Sequence, residues 1–89
     1  MIIYKMKIII YSTQWCVPCK NAKKLLDAKN IIYEEIDIEE NEISRDKLYD
    51  ITGGRTVPQI IINEKNIGGY RNLFHLNQSG ELDNLLKVS

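Results

Sequence analysis

Cys16 and Cys19 are the only cysteines in this 89-residue chain, and two residues separate them. A structural cross-link is a poor explanation for the pair, because a disulfide stabilises mainly by closing a long loop of the unfolded chain. A structural zinc site would need four ligands, and the chain adds only the lone His75 to the two cysteines. The Cys-x-x-Cys spacing therefore predicts thiol–disulfide redox chemistry without a metal.

The spacing also predicts different roles for the two cysteines. Only a thiolate attacks a disulfide, and a free cysteine with a pKa of roughly 8.5 is mostly protonated at neutral pH. We expect Cys16 at a helix N-terminus, where unpaired backbone N–H groups and the helix dipole favour an anion. Cys19, about one helical turn later, is expected to be more enclosed. Cys16 is therefore the predicted nucleophile, and Cys19 the thiol that resolves the mixed disulfide.

The residues around the cysteines have both structural and functional interpretations. Pro18 can start the helix, because its missing N–H costs nothing in the first turn, and it can also stiffen the loop. Trp15 is interpreted as a surface platform for partners beside the reactive sulfur; the alternative is a loop aromatic that packs on the domain. His75 is interpreted as a surface or half-buried helix residue and not as a general base.

A strand, a helix and a second strand are predicted around the cysteine motif. The run Ile8-Ile9-Ile10 within residues 7–11 is typical of a central strand covered on both faces. Residues 17–29 keep apolar side chains at helical spacing, and residues 31–38 alternate as a strand does. The two strands of such a unit are expected to be parallel.

The second half of the chain predicts one more helix, a hairpin and a helical tail. The helix covers residues 43–51, with Leu48 and Ile51 facing the core. Strands are predicted over 57–62 and near 66–67, followed by helices over 72–77 and 81–87. This order predicts an α/β protein with the thioredoxin fold, in which helices flank a four-stranded mixed sheet.

Charge and length limit the classes of partner. Twelve Lys and Arg residues balance twelve Asp and Glu residues, so the broad positive field that binds nucleic acid or anionic membranes is missing. The apolar start contains Lys5 and Lys7, is too short to span a membrane and lacks a small-residue cleavage site. We expect one cytoplasmic, monomeric domain over residues 1–89, with residues 1–5 as an extension because Met6 offers a second start.

Three motifs together resemble the glutaredoxin family over residues 7–87. They are Tyr11-Ser12 before Cys16-Val17-Pro18-Cys19, then Thr52-Gly53-Gly54-Arg55-Thr56-Val57-Pro58-Gln59, then Ile67-Gly68-Gly69-Tyr70 with Gln78-Ser79-Gly80-Glu81-Leu82 beyond it. The resemblance implies a dithiol enzyme that reduces protein disulfides and protein–glutathione mixed disulfides, with glutathione as its reductant.

The resemblance further implies a binding site for two parts of glutathione. Pro58 would be a cis proline facing the dithiol, and the Val57 backbone, with Thr56 beside it, would pair with the cysteinyl part like an added strand. The glycyl carboxylate needs basic groups, for which Arg55 and Arg45 are the candidates by position. Arg55 is tied to the Val57-Pro58 turn, whereas Arg45 lies on a helix face where a solvated charge is the alternative.

The glutamyl end of glutathione would bind after the second Gly-Gly pair. Gly69 would let the backbone amides of Tyr70 and Arg71 approach this end, and a helix N-terminus near Asn72 would suit its carboxylate. The family commonly has an acidic residue where this chain has Asn72, which can cap a helix but cannot pair with the glutamyl ammonium as a charge.

The active-site loop departs from the family pattern and leaves two alternatives open. Thr13 replaces a common lysine, which removes one expected cation from the glutathione site, and Trp15 with Pro18 looks like the thioredoxin signature. One alternative is therefore a thioredoxin-like redoxin reduced by a flavin-dependent thioredoxin reductase. The other is a dimer in which Cys16 of each protomer and two glutathiones hold a [2Fe–2S] cluster, although the retained Cys19 argues against it.

Overall fold

One four-stranded sheet with the strand order β2-β1-β3-β4 organises the chain in this computed structural model, which describes residues 7–86. The strands are β1 (Ile8–Ser12), β2 (Glu34–Asp37), β3 (Gln59–Ile62) and β4 (Lys65–Gly68), and the helices are α1 (Val17–Ala28), α2 (Arg45–Thr52), α3 (Tyr70–Gln78) and α4 (Glu81–Leu86). β1 pairs parallel with β2 and antiparallel with β3, and β3 pairs antiparallel with β4. The predicted thioredoxin fold is confirmed; the extension at residues 1–5, the second start at Met6 and the helix end at Lys87 lie outside the described residues.

The alternating side chains of β1 and β3 build a core on each face of the sheet. We call the set on the side of α1, α3 and α4 the large core; its members are Ile8, Ile10, Ala22, Leu26, Ile60, Ile62, Leu73 and Leu82. The small core, on the side of α2, consists of Tyr11, Ile38 and Leu48. The β-branched run of β1 is therefore covered on both faces, as a central strand requires.

The edge strand β2 is shorter than the predicted 31–38 strand. Within residues 7–86, β2 pairs only with β1, and the pairing begins where Ile9 lies opposite Glu34. Residues 31–33, with which the predicted strand began, therefore lie outside β2. Glu34 and Glu35 are both exposed on this edge.

Two predicted features of the second half are wrong. α2 begins at Arg45 rather than 43, because the Ser44 hydroxyl accepts a hydrogen bond from the Lys47 N–H at 3.0 Å and caps the helix. Ile51 was expected to face the core, but it is 38% exposed. Leu48 and Thr52, one turn apart, are the buried residues of α2, and Ile51 is displaced to the rim of the small core.

The tail forms two helices, as predicted, but the first begins earlier. α3 starts at Tyr70 rather than near residue 72, because the Leu73 N–H donates to the Gly69 carbonyl at 3.2 Å and closes the first turn there. Within residues 7–86, no helix has both the length and the apolar character needed to cross a membrane.

Candidate active site

Cys16 is the N-cap residue of α1, at the point where the loop after β1 enters the helix. Its Sγ accepts a hydrogen bond from the Cys19 N–H at 3.0 Å. The two cysteines form a disulfide with their Cα atoms 5.1 Å apart. The first N–H groups of a helix lack intrahelical partners and carry its positive dipole end, so this position stabilises a thiolate on Cys16 once the disulfide is reduced.

The two sulfur-bearing residues differ in accessibility. Cys16 is partly exposed, whereas Cys19 is completely buried. An external disulfide can therefore reach Cys16 but not Cys19. Within residues 7–86, no group of three or more His, Cys, Asp or Glu side chains is arranged to hold a metal ion.

The loop presents Cys16 between two exposed apolar side chains. Trp15 is 73% exposed and Val17 is 62% exposed, so Trp15 does not pack on the domain, and its role as a platform for partners stays a prediction. Pro18 lies in the first turn of α1, where its fixed φ suits the helix and its missing N–H leaves no bond unmade.

The backbone of the loop before β3 lies against the reactive sulfur. Cys16 Sγ is 3.5 Å from the carbonyl oxygen of Val57, and the Val57–Pro58 peptide bond is cis, as the family resemblance implied. Pro58 is buried and Val57 is half-buried, with the Val57 side chain packed on the small core. The main chain at Val57 thus lies beside the site of disulfide exchange.

The N-terminus of α3 forms the next boundary of the site. Gly69 is its N-cap residue and has no side chain to cap it, so the backbone N–H groups of Tyr70 and Arg71 lack intrahelical partners. Asn72 does not cap this helix, contrary to expectation, because it lies inside the first turn; its Nδ2 donates instead to the Ile67 carbonyl at 3.0 Å. Gly68 has φ +102°, and a Cβ there would lie 2.5 Å from Asn72 Nδ2, so the turn requires glycine.

Arg45 and Arg55 are brought together at the other end of the site. Arg45 Nη1 donates to the Arg55 carbonyl at 3.1 Å, and Arg55 Nε lies 3.4 Å from Asp46 Oδ1. The Arg55 guanidinium also lies over the Tyr49 ring, 4.2 Å from its centroid. Both arginines are exposed, so two cations lie next to the loop that carries Val57.

Thr13 and Thr56, the remaining predicted site residues, have different surroundings. Thr13 follows β1 and is only 4% exposed, so it offers little surface to a ligand. Thr56 is exposed, and its carbonyl accepts a hydrogen bond from Gln59 Nε2 at 2.9 Å. Gln59 was not among the predicted site residues; the signal that could have found it is a polar side chain at the start of a buried strand.

A charged network holds the end of β1 beside α1. The fully buried Ser12 donates its hydroxyl to Glu35 Oε2 at 2.7 Å, and Lys23 Nζ lies 2.8 Å from the same oxygen. Partial burial by itself would raise the pKa of Glu35, but the hydrogen bonds from Lys23 and Ser12 outweigh it and lower that pKa. Burial raises the pKa of Tyr33, and the charges of Asp27 and Glu35 raise it further. Glu35 is therefore an anion that ties β1, β2 and α1 together just behind the reactive loop.

Comparison with known proteins gives one consistent family. The glutaredoxin family model matches residues 8–67. Glutaredoxin 1 of Rickettsia prowazekii is 45% identical over 82 residues, covering 90% of this chain and 86% of that protein. Glutaredoxin 3 of Escherichia coli K12 is 40% identical over 78 residues, covering 88% and 94%. The crystal structure of a buckwheat glutaredoxin–glutathione complex has a TM-score of 0.81 at 30% identity, covering 89% of this chain and 74% of that one.

Sequence and fold thus agree over most of the chain. The protein belongs to the glutaredoxin family, and with its Cys16–Cys19 pair it is a glutathione-dependent thiol–disulfide oxidoreductase.

Proposed function

We propose that the enzyme acts on two kinds of substrate, mixed disulfides between glutathione and a protein and disulfides within proteins, and that glutathione itself returns it to the dithiol state. The observation that carries this proposal is the partly exposed Cys16, whose Sγ lies 3.5 Å from the Val57 carbonyl. A cysteine-containing substrate that pairs with the main chain at Val57 would have its sulfur next to this nucleophile.

The reaction with a glutathionylated protein needs only Cys16. Its thiolate attacks the glutathione sulfur, a bond forms between these two sulfurs, and the protein leaves as a thiolate that takes up a proton. A second glutathione thiolate then attacks the sulfur of the bound glutathione. Oxidised glutathione leaves, and Cys16 is released as a thiolate. The glutathionylated protein and one added glutathione thus give the protein thiol and one oxidised glutathione, with the added glutathione as the reductant.

Reduction of a disulfide within a protein also uses Cys19. Cys16 attacks one sulfur of the substrate and forms a mixed disulfide with it. The buried Cys19, whose backbone N–H lies 3.0 Å from Cys16 Sγ, attacks Cys16 Sγ as a thiolate. The substrate leaves fully reduced, and the Cys16–Cys19 disulfide remains for two glutathione molecules to reduce.

Three groups on the protein are proposed to hold glutathione. The main chain at Val57, between Thr56 and Pro58, takes the cysteinyl part. Arg55 and Arg45 take the glycyl carboxylate, and this assignment is supported by their exposure and by their mutual contact at 3.1 Å. The free amides at the start of α3 take the glutamyl carboxylate.

The contacts at the start of α3 are assigned residue by residue. The backbone groups proposed to contact the glutamyl end belong to Gly69, Tyr70, Arg71 and Asn72. The Asn72 side chain is already occupied by the Ile67 carbonyl at 3.0 Å. Asn72 therefore contributes through its backbone rather than its side chain.

Turnover of a glutathionylated peptide and of a peptide with an internal disulfide tests the proposal. The wild type should reduce both with glutathione as the electron donor. Cys16→Ser should lose both activities, whereas Cys19→Ser should keep the first and lose the second. Absence of turnover of the glutathionylated peptide by the wild type would contradict the proposal.

The two alternative functions stay predictions from the sequence, as do the cytoplasmic setting and the monomeric state. The same assay with NADPH and a flavin-dependent thioredoxin reductase in place of glutathione tests the first alternative. Rapid reduction by that enzyme alone would make it the electron donor. Anaerobic reconstitution with iron, sulfide and glutathione tests the [2Fe–2S] dimer, which a colourless monomeric product would exclude.

A further inference from the structure

Gln59 is a buried polar side chain next to the Val57 main chain that the reaction steps do not use. It is 6% exposed and opens β3, directly after Pro58. Its Nε2 donates to the Thr56 carbonyl at 2.9 Å and lies 3.4 Å from Thr56 Oγ1. Loss of this partner would leave a buried amide without a hydrogen bond, which is unfavourable in free energy. The contact therefore fixes the position of the Thr56 carbonyl.

Gly54 also lies close to the same carboxamide. A Cβ on Gly54 would lie 2.5 Å from Gln59 Nε2 and 2.8 Å from Gln59 Cδ, which leaves no room for a side chain. Gly54 is itself held by Thr52, whose Oγ1 accepts the Gly54 N–H at 3.1 Å and lies 2.9 Å from the Leu48 carbonyl. The Gln59 carboxamide therefore packs against the chain at both Gly54 and Thr56, just before Val57.

The geometry points to Gln59 as a positioning residue that holds residues 54–57 in the shape in which the Val57 main chain can pair with the cysteinyl part of a disulfide substrate. This inference rests on the proposed substrate binding at Val57. Gln59 has no contact with the reacting sulfurs; it acts through the Thr56 carbonyl, one residue before Val57. Its role therefore belongs to substrate binding and not to activation of Cys16.

Kinetics of Gln59→Ala separate these two roles. Loss of one buried hydrogen bond should raise KM for a glutathionylated peptide about fivefold to tenfold, with kcat changed by less than about twofold. The rate at which iodoacetamide alkylates reduced Cys16 should stay unchanged, because that reaction needs no pairing with Val57. Gln59→Glu keeps the shape but places a carboxylate against the Thr56 carbonyl, so it should raise KM at least as much. Gln14→Ala, which removes an exposed carboxamide bonded to Glu40 at 3.0 Å, is the matched control and should leave KM unchanged.

Because Gly54 lies close to the Gln59 carboxamide, a double-mutant cycle of the two residues also tests the inference. In the wild-type background, Gly54→Ala should raise KM about as much as Gln59→Ala does, because the new methyl group displaces the carboxamide. In the Gln59→Ala background the methyl group has room, and Gly54→Ala should change KM by less than about twofold. If Gln59→Ala failed to fold, Gln59→Glu and the single Gly54→Ala variant would still test the effect on KM.

Two results would overturn the inference: an unchanged KM in Gln59→Ala or Gln59→Glu, or an equal effect of Gly54→Ala in both backgrounds. A loss of thermal stability with KM unchanged would show a purely structural role. Every variant should also be measured with a peptide disulfide that lacks glutathione. A wild type that reduces this peptide but not the glutathionylated one would refute the proposed glutathione substrate, while the KM comparison on the peptide would still decide the role of Gln59.

Discussion

The two faces of the sheet differ in how they are covered and in what they support. Among the described residues 7–86, the large core has eight buried residues beneath three helices, whereas the small core has three beneath the short helix α2. α1, which carries the cysteines at its N-terminus, contributes Ala22 and Leu26 to the large core. Val57, which lies against Cys16, packs on the small core.

The difference indicates that the proposed nucleophile Cys16 and the proposed binding surface at Val57 depend on separate packing. Helix α1 is fixed by the larger buried apolar area, which is the dominant stabilising term in folding. Arg45 belongs to α2 and the Val57 loop follows it, so the proposed binding residues depend on the smaller area. Damage to the large core should therefore unfold the protein, and damage to the small core should weaken substrate binding first.

The largest expected effect is that of Leu26→Ala in the large core. Leu26 is completely buried, and truncation of such a leucine leaves a cavity that costs about 3–5 kcal/mol. Urea denaturation should show this loss, and redox activity should fall in proportion to the unfolded fraction. If Leu26→Ala lowered the free energy of unfolding by less than Leu48→Ala does, the proposed difference between the two cores would be contradicted.

Leu48→Ala in the small core should have an intermediate effect. Leu48 is also completely buried, but its surroundings are thinner and can relax, so we expect a loss of about 2–3 kcal/mol. The folded fraction should show a raised KM for a glutathionylated peptide, while alkylation of Cys16 by iodoacetamide keeps its rate. If Leu48→Ala impaired the KM for the peptide and the alkylation rate of Cys16 to the same extent, the two cores would not be functionally separate.

Glu35→Gln tests a contact that joins α1 to the sheet independently of both cores. The pKa of Glu35 is lowered in the folded protein, so its charge stabilises the fold above its unfolded pKa of about 4.3, and this contribution is lost as the pH falls through the folded pKa. Because the Glu35 side chain is 38% exposed, solvent screening limits the loss at pH 7 to about 0.5–1 kcal/mol.

The pH dependence of this variant is the decisive measurement. The groups that face Glu35 are Lys23 from α1, Ser12 from β1 and Asp37 from its own strand. Unfolding free energies of Glu35→Gln and wild type should differ at pH 7 and converge as the pH falls through the lowered pKa of Glu35 in the folded protein. Asp83→Asn, which removes the ion pair with Lys29 at the far end of α1, is the control and should change stability less because Asp83 is 60% exposed. A constant difference across the pH range would exclude the charge as the cause.

Ile51→Ser should have the smallest effect. Ile51 lies at the rim of the small core and is 38% exposed, so its truncation should change the unfolding free energy by no more than about 0.5 kcal/mol. Thermal melting beside Leu48→Ala would check this. If Ile51→Ser lowered the unfolding free energy as much as Leu48→Ala does, Ile51 would belong to the small core and not to its rim.

Elements with strong local patterns were predictable from the sequence. The Ile8-Ile9-Ile10 run predicted the central strand, and the position of the cysteines predicted Cys16 at the N-terminus of α1. Both predictions were confirmed. These features depend on neighbours within one strand or one turn, so periodicity and helix capping are enough to find them.

Features that depend on distant partners were not predictable. Leu48 was correctly placed in the core, but Ile51 was wrongly placed there, because nothing local reveals that Thr52 takes the other buried position of α2. Asn72 was expected to cap a helix, but the Ile67 carbonyl takes its side chain. Gln59 was overlooked because its importance rests on the folded shape of residues 54–57.

The exposed edge of β2 also affects the tendency of the protein to aggregate at high concentration. The isoleucines of β1 would favour intermolecular strand addition if they lay at an edge, but β2 and β3 flank them. β2 is only four residues long and exposes Glu34 and Glu35. A second molecule that added its own β2 antiparallel at this edge would bring like charges together. The acidic edge thus disfavours addition of a second molecule at β2, the strand that covers one side of β1.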